Sequence, residues 1–152
     1  MTARILGSVV ALLGLLLVGC SDPPDDTPLG RDAAAVLARP EQEVDHVKLQ
    51  HVLLAFVGAM RGSESGHTME EARALTSEVL ARARAGEDFT ALMQKYSGDD
   101  GPGIYVLTQD DRDTYAKSFG DVGFRLQVGE IGVAPYQPSK SPFGWHVIKR
   151  IE

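Results

Sequence analysis

The stretch VDHVKLQHVLLAF, residues 44–56, carries the strongest strand pattern of the chain. Alternate positions along it would place on one face Val47, Leu49, His51, Leu53 and Ala55. Its second half is apolar on both faces, which predicts a strand at the centre of a sheet. The closing stretch WHVIKRI, residues 145–151, alternates in the same way. We therefore expect the first and last strands of the domain to be neighbours.

Two helices are predicted directly after the first strand. Thr68 and Glu71 have the spacing of a capping box, so a helix should begin there and run to about Ala85. Asp88 is a suitable N-cap for a second helix. An apolar stripe at helical spacing follows it, made of Phe89, Leu92, Met93 and Tyr96.

The remaining segments are shorter. Residues 104–107 predict a short strand, and two short helical pieces are expected around residues 112–119 and 122–126. Strands at both ends with helices between them indicate an α+β fold.

Length and composition exclude several classes of protein. The chain has 152 residues, a net charge of −6 and one cysteine, and that length fits one domain. Nucleic-acid-binding proteins usually carry a basic patch; no such run occurs, so no nucleic-acid partner is expected. One cysteine excludes an internal disulfide framework and a multi-cysteine zinc site. Because the chain lacks a P-loop and a G-x-G-x-x-G motif, no nucleotide enzyme is indicated, and neither a cofactor nor a metal is expected.

Residues 1–19 have the pattern of a bacterial signal peptide. A charge-free apolar run at residues 5–18 is too short to span a bilayer comfortably but fits a signal-peptide core. The end of this segment, before Cys20, resembles the lipobox of bacterial lipoproteins. The resemblance implies cleavage after Gly19 and acylation of Cys20, which would anchor the chain to a membrane. The alternative is a plain secretory signal with an incidental cysteine.

Residues 20–42 are interpreted as the acylated cysteine and a tether, and residues 43–152 as the folded domain. Residues 21–30 are rich in proline and aspartate and predict a disordered spacer, while residues 31–39 could form a short helix. Under the sorting rules that the lipobox implies, Ser21 favours the periplasmic face of the outer membrane. The aspartate that follows it leaves the choice between the two membranes open.

Two histidines stand on the two strongest strands. If those strands pair at the centre of the sheet, His51 and His146 could face each other and share a proton in a hydrogen bond. The alternative is that each is a satisfied core residue without a catalytic part. A metal site is not favoured, because His46 and His51 would project to opposite faces of the first strand and no further ligands cluster nearby.

Five segments together resemble parvulin-type peptidyl-prolyl isomerase domains. In chain order these are residues 50–54 (QHVLL), 71–72 with 86–89 (EA and GEDF), 96–99 (YSGD), 119–132 (FGDVGFRLQVGEIG) and 143–148 (FGWHVI). The resemblance covers about residues 45–152. It implies a four-stranded antiparallel sheet surrounded by about four helices, and catalysis of cis/trans rotation about X–Pro bonds.

The resemblance also implies a set of site residues. His51 and His146 would be paired at the pocket floor, and Asp99 would lie beside the substrate carbonyl. The substrate-binding residues would be Ile104, Tyr115 and Phe119 around the proline ring, with Phe143 at the rim and Ser141 nearby.

Some of these assignments have alternatives. Asp99 could be a solvated loop carboxylate, and Asp100 is an adjacent competitor for its role. Phe119 could belong to the core. The loop before Tyr105 is several residues shorter than in the family and carries tyrosine where glycine is usual, which affects the expected rate more than the fold.

The function that follows is a membrane-tethered prolyl isomerase assisting the folding of exported cell-envelope proteins. Its partners would be proline-containing unfolded polypeptides, and a monomer is expected. The alternative is a catalytically weak parvulin-fold module that binds peptides as a chaperone. Because residues 57–67 hold Arg61 as their one lysine or arginine, beside Glu64, no preference for phosphorylated substrates is expected.

Overall fold

The computed structural model describes residues 25–60, 62 and 65–152. The expected signal peptide, the lipidation site at Cys20 and the first residues of the tether lie outside these residues. The same holds for Arg61 and Glu64, on which the expected lack of phosphate preference depends.

The described residues form one sheet of four antiparallel strands in the order β2-β1-β4-β3. The strands are β1 (His46–Leu54), β2 (Ile104–Thr108), β3 (Ile131–Ala134) and β4 (Trp145–Arg150). The first and last strands are neighbours at the centre, which confirms the prediction from their apolar patterns. In their register Leu53 lies opposite His146 and His51 lies opposite Ile148.

The helices after β1 begin where their capping residues predict. In α2 (Met69–Arg84) the capping box is complete: the Thr68 N–H donates to Glu71 Oε2 at 2.8 Å and the Glu71 N–H donates to Thr68 Oγ1 at 3.2 Å. In α3 (Phe89–Tyr96) the Asp88 carboxylate accepts from the Ala91 N–H at 2.7 Å. These local bonds satisfy N–H groups that the first turn of a helix leaves unpaired.

The segment between β2 and β3 differs in its boundaries from the expected helical pieces. A 3₁₀ helix spans Arg112–Thr114, and one α-helix, α4, spans Lys117–Gly123. Phe124 and Leu126 follow as fully buried residues of the turn that ends α4. Side chains can be buried without a helical backbone, so apolar spacing alone predicts helical structure beyond Gly123, where α4 ends.

The N-terminal segment packs more extensively than its composition suggests. Helix α1 (Pro28–Leu37) begins inside the segment expected to be disordered, and it contacts β3 and α4. Its buried apolar side chains lie at helical spacing: Leu29, Ala33 and Val36. Thr27 caps it by accepting from the Gly30 N–H at 3.1 Å, and Pro28 occupies a first-turn position that needs no N–H donor. The packed part of the chain thus includes residues before 43, where the sequence pattern begins the domain.

The four α-helices of the described chain cover both faces of the sheet, which makes the fold α+β. One face packs its apolar residues against α2 and α3, and the other packs against α4. In the part of the chain that the structure describes, no helix combines the length and apolar character needed to cross a membrane.

Candidate active site

The structure brings His51 and His146 together at the centre of the sheet. Their Nδ1 atoms are 3.1 Å apart and their rings are stacked with centroids 5.3 Å apart. Both side chains are buried. Because β1 and β4 are neighbours, two histidines 95 positions apart in sequence can share one hydrogen bond.

The hydrogen-bond partners determine which ring nitrogens carry protons. His51 Nε2 is 2.9 Å from Asp99 Oδ2, and a carboxylate only accepts, so this nitrogen donates. In a neutral His51 ring, Nδ1 must then accept from the Nδ1–H of His146. His146 Nε2 is left as a bare acceptor, and it is buried without a hydrogen-bond partner among the described residues. The three side chains therefore form a directed chain that ends at a carboxylate.

Asp99 is held by the loop that follows α3 and by two strands. Ser97 Oγ accepts from the Leu53 N–H at 3.1 Å and from the Asp99 N–H at 3.3 Å, which fixes the loop to β1. The Gly101 N–H donates to Asp99 Oδ1 at 3.2 Å, and the Tyr105 hydroxyl donates to Oδ2 at 2.8 Å. Hydrogen bonding from His51 and then from Tyr105 holds the pKa of the Asp99 carboxyl well below its usual range, against the opposing effect of burial.

Two groups near Asp99, His146 and Tyr105, are kept neutral. Burial lowers the pKa of His146 well below its usual value, and the nearby His51 adds to this effect. Burial, together with the charge and hydrogen bond of Asp99, raises the pKa of Tyr105 to about 12. At neutral pH Asp99 is therefore ionised, while His146 and Tyr105 are uncharged.

An aromatic-walled cavity of about 460 Å³ opens above this chain of side chains. The predicted site residues that line it are His51, Asp99, Tyr115, Phe119, Phe143 and His146. The rings of Phe119 and His51 meet at 5.1 Å, and those of Tyr115 and Phe119 at 6.3 Å. The cavity thus combines an apolar wall with the half-buried, ionised carboxylate of Asp99.

Two predicted binding residues lie elsewhere. Ile104 is 39% exposed on the opposite face of β2 and does not line the cavity, whereas its neighbour Tyr105 does. Ser141 is fully buried away from the cavity lining, and its Oγ donates to the Gly144 carbonyl at 3.4 Å. Successive strand residues point to opposite faces, so a shift of one position exchanges a pocket residue for a surface residue.

The sequence analysis does not place Tyr105 and Leu53 among the site residues, but both line the cavity, as does Asp100, the competitor named for the role of Asp99. Tyr105 carries a signal that could have identified it: Leu107, two positions along β2 and therefore on the same face, is fully buried. Asp100 lines the cavity beside Asp99, but the histidine pair contacts only Asp99 among the described ion pairs. No group of three potential metal-ligating side chains occurs in the part of the chain described by the structure.

Comparison with known proteins identifies the fold. A family model described as the PPIC-type PPIase domain matches residues 36–152. The chain belongs to this family. The match covers all of the cavity and both central strands, so the predicted parvulin resemblance is confirmed.

Curated relatives include folding factors. The chain is 30% identical over 142 residues to "Chaperone SurA" of Pseudomonas fluorescens, an alignment that covers 90% of this chain and 31% of the relative. It is 32% identical over 85 residues to "Foldase protein PrsA 4" of Bacillus cereus, covering 55% of this chain and 29% of the relative. The chain thus spans about a third of the length of these curated relatives.

Proposed function

We propose that this protein catalyses cis/trans rotation about X–Pro peptide bonds in unfolded polypeptides. The observation that carries the proposal is the hydrogen-bonded chain Asp99–His51–His146 at the floor of an aromatic-walled cavity. Membership of the PPIC-type PPIase domain family supports the same reaction.

The reaction requires recognition of a twisted amide and no bond cleavage. Resonance gives the peptide C–N bond a rotational barrier of about 18–20 kcal/mol, and uncatalysed X–Pro rotation takes tens to hundreds of seconds. The planar amide carries negative charge on its oxygen, and twisting returns electron density to the nitrogen. A catalyst must therefore bind the twisted form more tightly than either planar isomer.

The cavity offers a suitable environment for each part of the substrate. Phe119 and Tyr115 would contact the apolar proline ring, with Phe143 at the rim. Asp99, held ionised by its donors, would lie beside the carbonyl oxygen. A fixed negative charge there disfavours the charge-separated planar amide and favours the twisted one, an effect that grows where water is excluded.

The histidine pair would act by holding this charge in place. His51 donates to Asp99, and its Nδ1 lies 3.1 Å from Nδ1 of His146, so the two hydrogen bonds fix the orientation of both rings. Because burial keeps His146 neutral, this second ring adds no positive charge that would offset the carboxylate beside the planar amide.

In the cell, we propose that the protein acts on exported polypeptides in the bacterial envelope, without phospho-specificity. The signal-peptide pattern and the lipobox-like end at Cys20 support a membrane-anchored protein, with the periplasmic face of the outer membrane favoured by Ser21. The folding factors among its relatives support a client set of unfolded chains.

A refolding assay tests this function. The substrate is a small protein whose slow folding phase is limited by X–Pro isomerisation. Catalytic amounts of the full chain should accelerate that phase, and His51→Ala should remove the acceleration. Binding of proline peptides at Tyr115 and Phe119 without acceleration would instead support the chaperone-module alternative, which the short loop before Tyr105 motivates.

A further inference from the structure

Tyr105 stands in the cavity wall, although it is not among the predicted site residues. It lies on β2, and its ring centroid is 5.4 Å from that of His51 and 5.8 Å from that of Tyr115. Its hydroxyl donates to Asp99 Oδ2 at 2.8 Å. The same oxygen accepts from His51 Nε2 at 2.9 Å, so the two donors converge on one atom.

This second donor matters because Asp99 belongs to a loop. A single hydrogen bond from His51 would fix the distance of the carboxylate but leave its plane free to rotate. Tyr105 approaches the same oxygen from a second strand, and the Gly101 N–H holds the other oxygen at 3.2 Å. The carboxylate is thereby tied to β1, to β2 and to its own loop.

Gly101 gives independent evidence that the loop is built around the tyrosine hydroxyl. A Cβ atom at position 101 would lie 2.1 Å from the Tyr105 hydroxyl oxygen and 3.2 Å from Asp99 Oδ2. A Cβ atom here would therefore force the hydroxyl to shift, so the glycine lets the loop close over the hydroxyl while it reaches Asp99.

We propose that Tyr105 is a positioning residue that fixes the orientation of the Asp99 carboxylate at the cavity floor. It acts through Asp99 and needs no contact with substrate. Its effect on X–Pro rotation rests on the proposed function, whereas its effect on the carboxylate does not.

A titration follows from this arrangement. The groups that face Asp99 are His51 on β1, Tyr105 on β2 and His146 on β4, with Asp100 beside it on the loop. Removing the Tyr105 hydroxyl removes a donor to the ionised form and leaves the other groups in place. The Asp99 pKa should then rise, because a lost donor disfavours the charged carboxylate.

The test is an NMR titration of the full chain carrying ¹³C-labelled aspartate carboxyl groups. Tyr105→Phe keeps the ring and removes only the hydroxyl, and the Asp99 signal should titrate at a higher pH than in the wild type. The matched control is Tyr136→Phe, because Tyr136 packs between Phe56 and Trp145 and does not line the cavity. The control should leave the Asp99 titration unchanged.

Gly101→Ala supplies a second variant that keeps the tyrosine. Its Cβ would displace the hydroxyl, so Asp99 should titrate higher here as well. In the Tyr105→Phe background the same alanine should add little, since the hydroxyl it displaces is already absent. Full additivity of the two shifts, or an unchanged titration in Tyr105→Phe, would overturn the proposal.

Isomerase kinetics separate this inference from the proposed function. Loss of a hydrogen bond to a charged group predicts a fall in kcat of at least about tenfold in Tyr105→Phe, with KM little changed. A wild-type chain without isomerase activity would refute the proposed function, and the carboxyl titration would still decide whether Tyr105 positions Asp99.

Discussion

The two faces of β1 and β4 differ sharply although the same strands form both. On one face, apolar side chains of the two strands pack toward α2 and α3: Val52, Leu54, Trp145 and Val147. The other face, one residue along each strand, carries the buried pair His51 and His146 under the cavity. Burying apolar side chains stabilises a fold, whereas burying imidazoles costs free energy unless they are hydrogen-bonded. Both faces carry apolar core residues, and the second face in addition buries two imidazoles whose burial costs stability unless they are hydrogen-bonded.

The largest expected effect is on the apolar face. Leu54→Ala should lower the free energy of unfolding by about 2–5 kcal/mol, because it leaves a cavity in a close-packed core. Urea denaturation measures this change. The control is Val106→Ala on the exposed side of β2, where Val106 is 49% exposed and a change within about 0.5 kcal/mol is expected. Equal losses at the two positions would contradict the contrast between core and surface.

A substitution on the cavity face should affect activity more than stability. Asp99→Asn keeps the size of the side chain but removes its charge, and should lower kcat/KM for an X–Pro peptide by at least about tenfold. The exposed Asp113→Asn is the matched control, and Asp100→Asn tests the competing carboxylate of the cavity rim. A larger loss in Asp100→Asn than in Asp99→Asn would transfer the role to Asp100.

How far the sequence predicts this site depends on how much of the signal is local. The capping box at Thr68 is a short-range pattern, whereas the pairing of His51 with His146 depends on the first and last strands being neighbours and is otherwise implied by the parvulin resemblance. Ile104 is expected in the pocket but lies outside it. Because residues 104–107, IYVL, are all hydrophobic, their sequence does not show which of them face the cavity. The packing of α1 against the sheet is not predicted for another reason. Its apolar stripe is surrounded by residues typical of disorder, and its partners lie far along the chain.

Acid should destabilise the fold through the buried histidine. The pKa of His146 is lower in the folded than in the unfolded chain, so only the unfolded chain gains a proton as the pH falls below about 6.5. The free energy of unfolding should therefore fall by up to about 1.4 kcal/mol per pH unit from this group, down toward its depressed folded pKa. Unfolding measured from pH 7 to pH 5 should show this slope, and His146→Gln should reduce it.

The exposed His67→Gln serves as the control for that slope. The depressed pKa of Asp99 adds an acid loss of its own at lower pH, since its stabilisation is complete above about pH 4 and declines below it. A slope between pH 7 and pH 5 that is the same in His146→Gln and the wild type would show that His146 is not held neutral.

The smallest expected effect is that of substrate phosphorylation. Two carboxylates, Asp99 and Asp100, line the cavity, and a phosphate before proline would be repelled by them. Rates on Ser–Pro and phospho-Ser–Pro peptides should therefore show no gain from the phosphate. A large gain would require a cation near the cavity and would contradict the negative character of this face.

The central claim is that the cavity above His51, His146 and Asp99 catalyses X–Pro rotation. NMR exchange spectroscopy on a short Ala–Pro peptide tests it most directly. The full chain should accelerate cis/trans exchange above the rate of the free peptide, and Asp99→Asn should abolish most of the acceleration while remaining folded. Exchange at the free-peptide rate with wild-type protein, under conditions where the peptide shifts the signals of Tyr115 and Phe119, would contradict the claim.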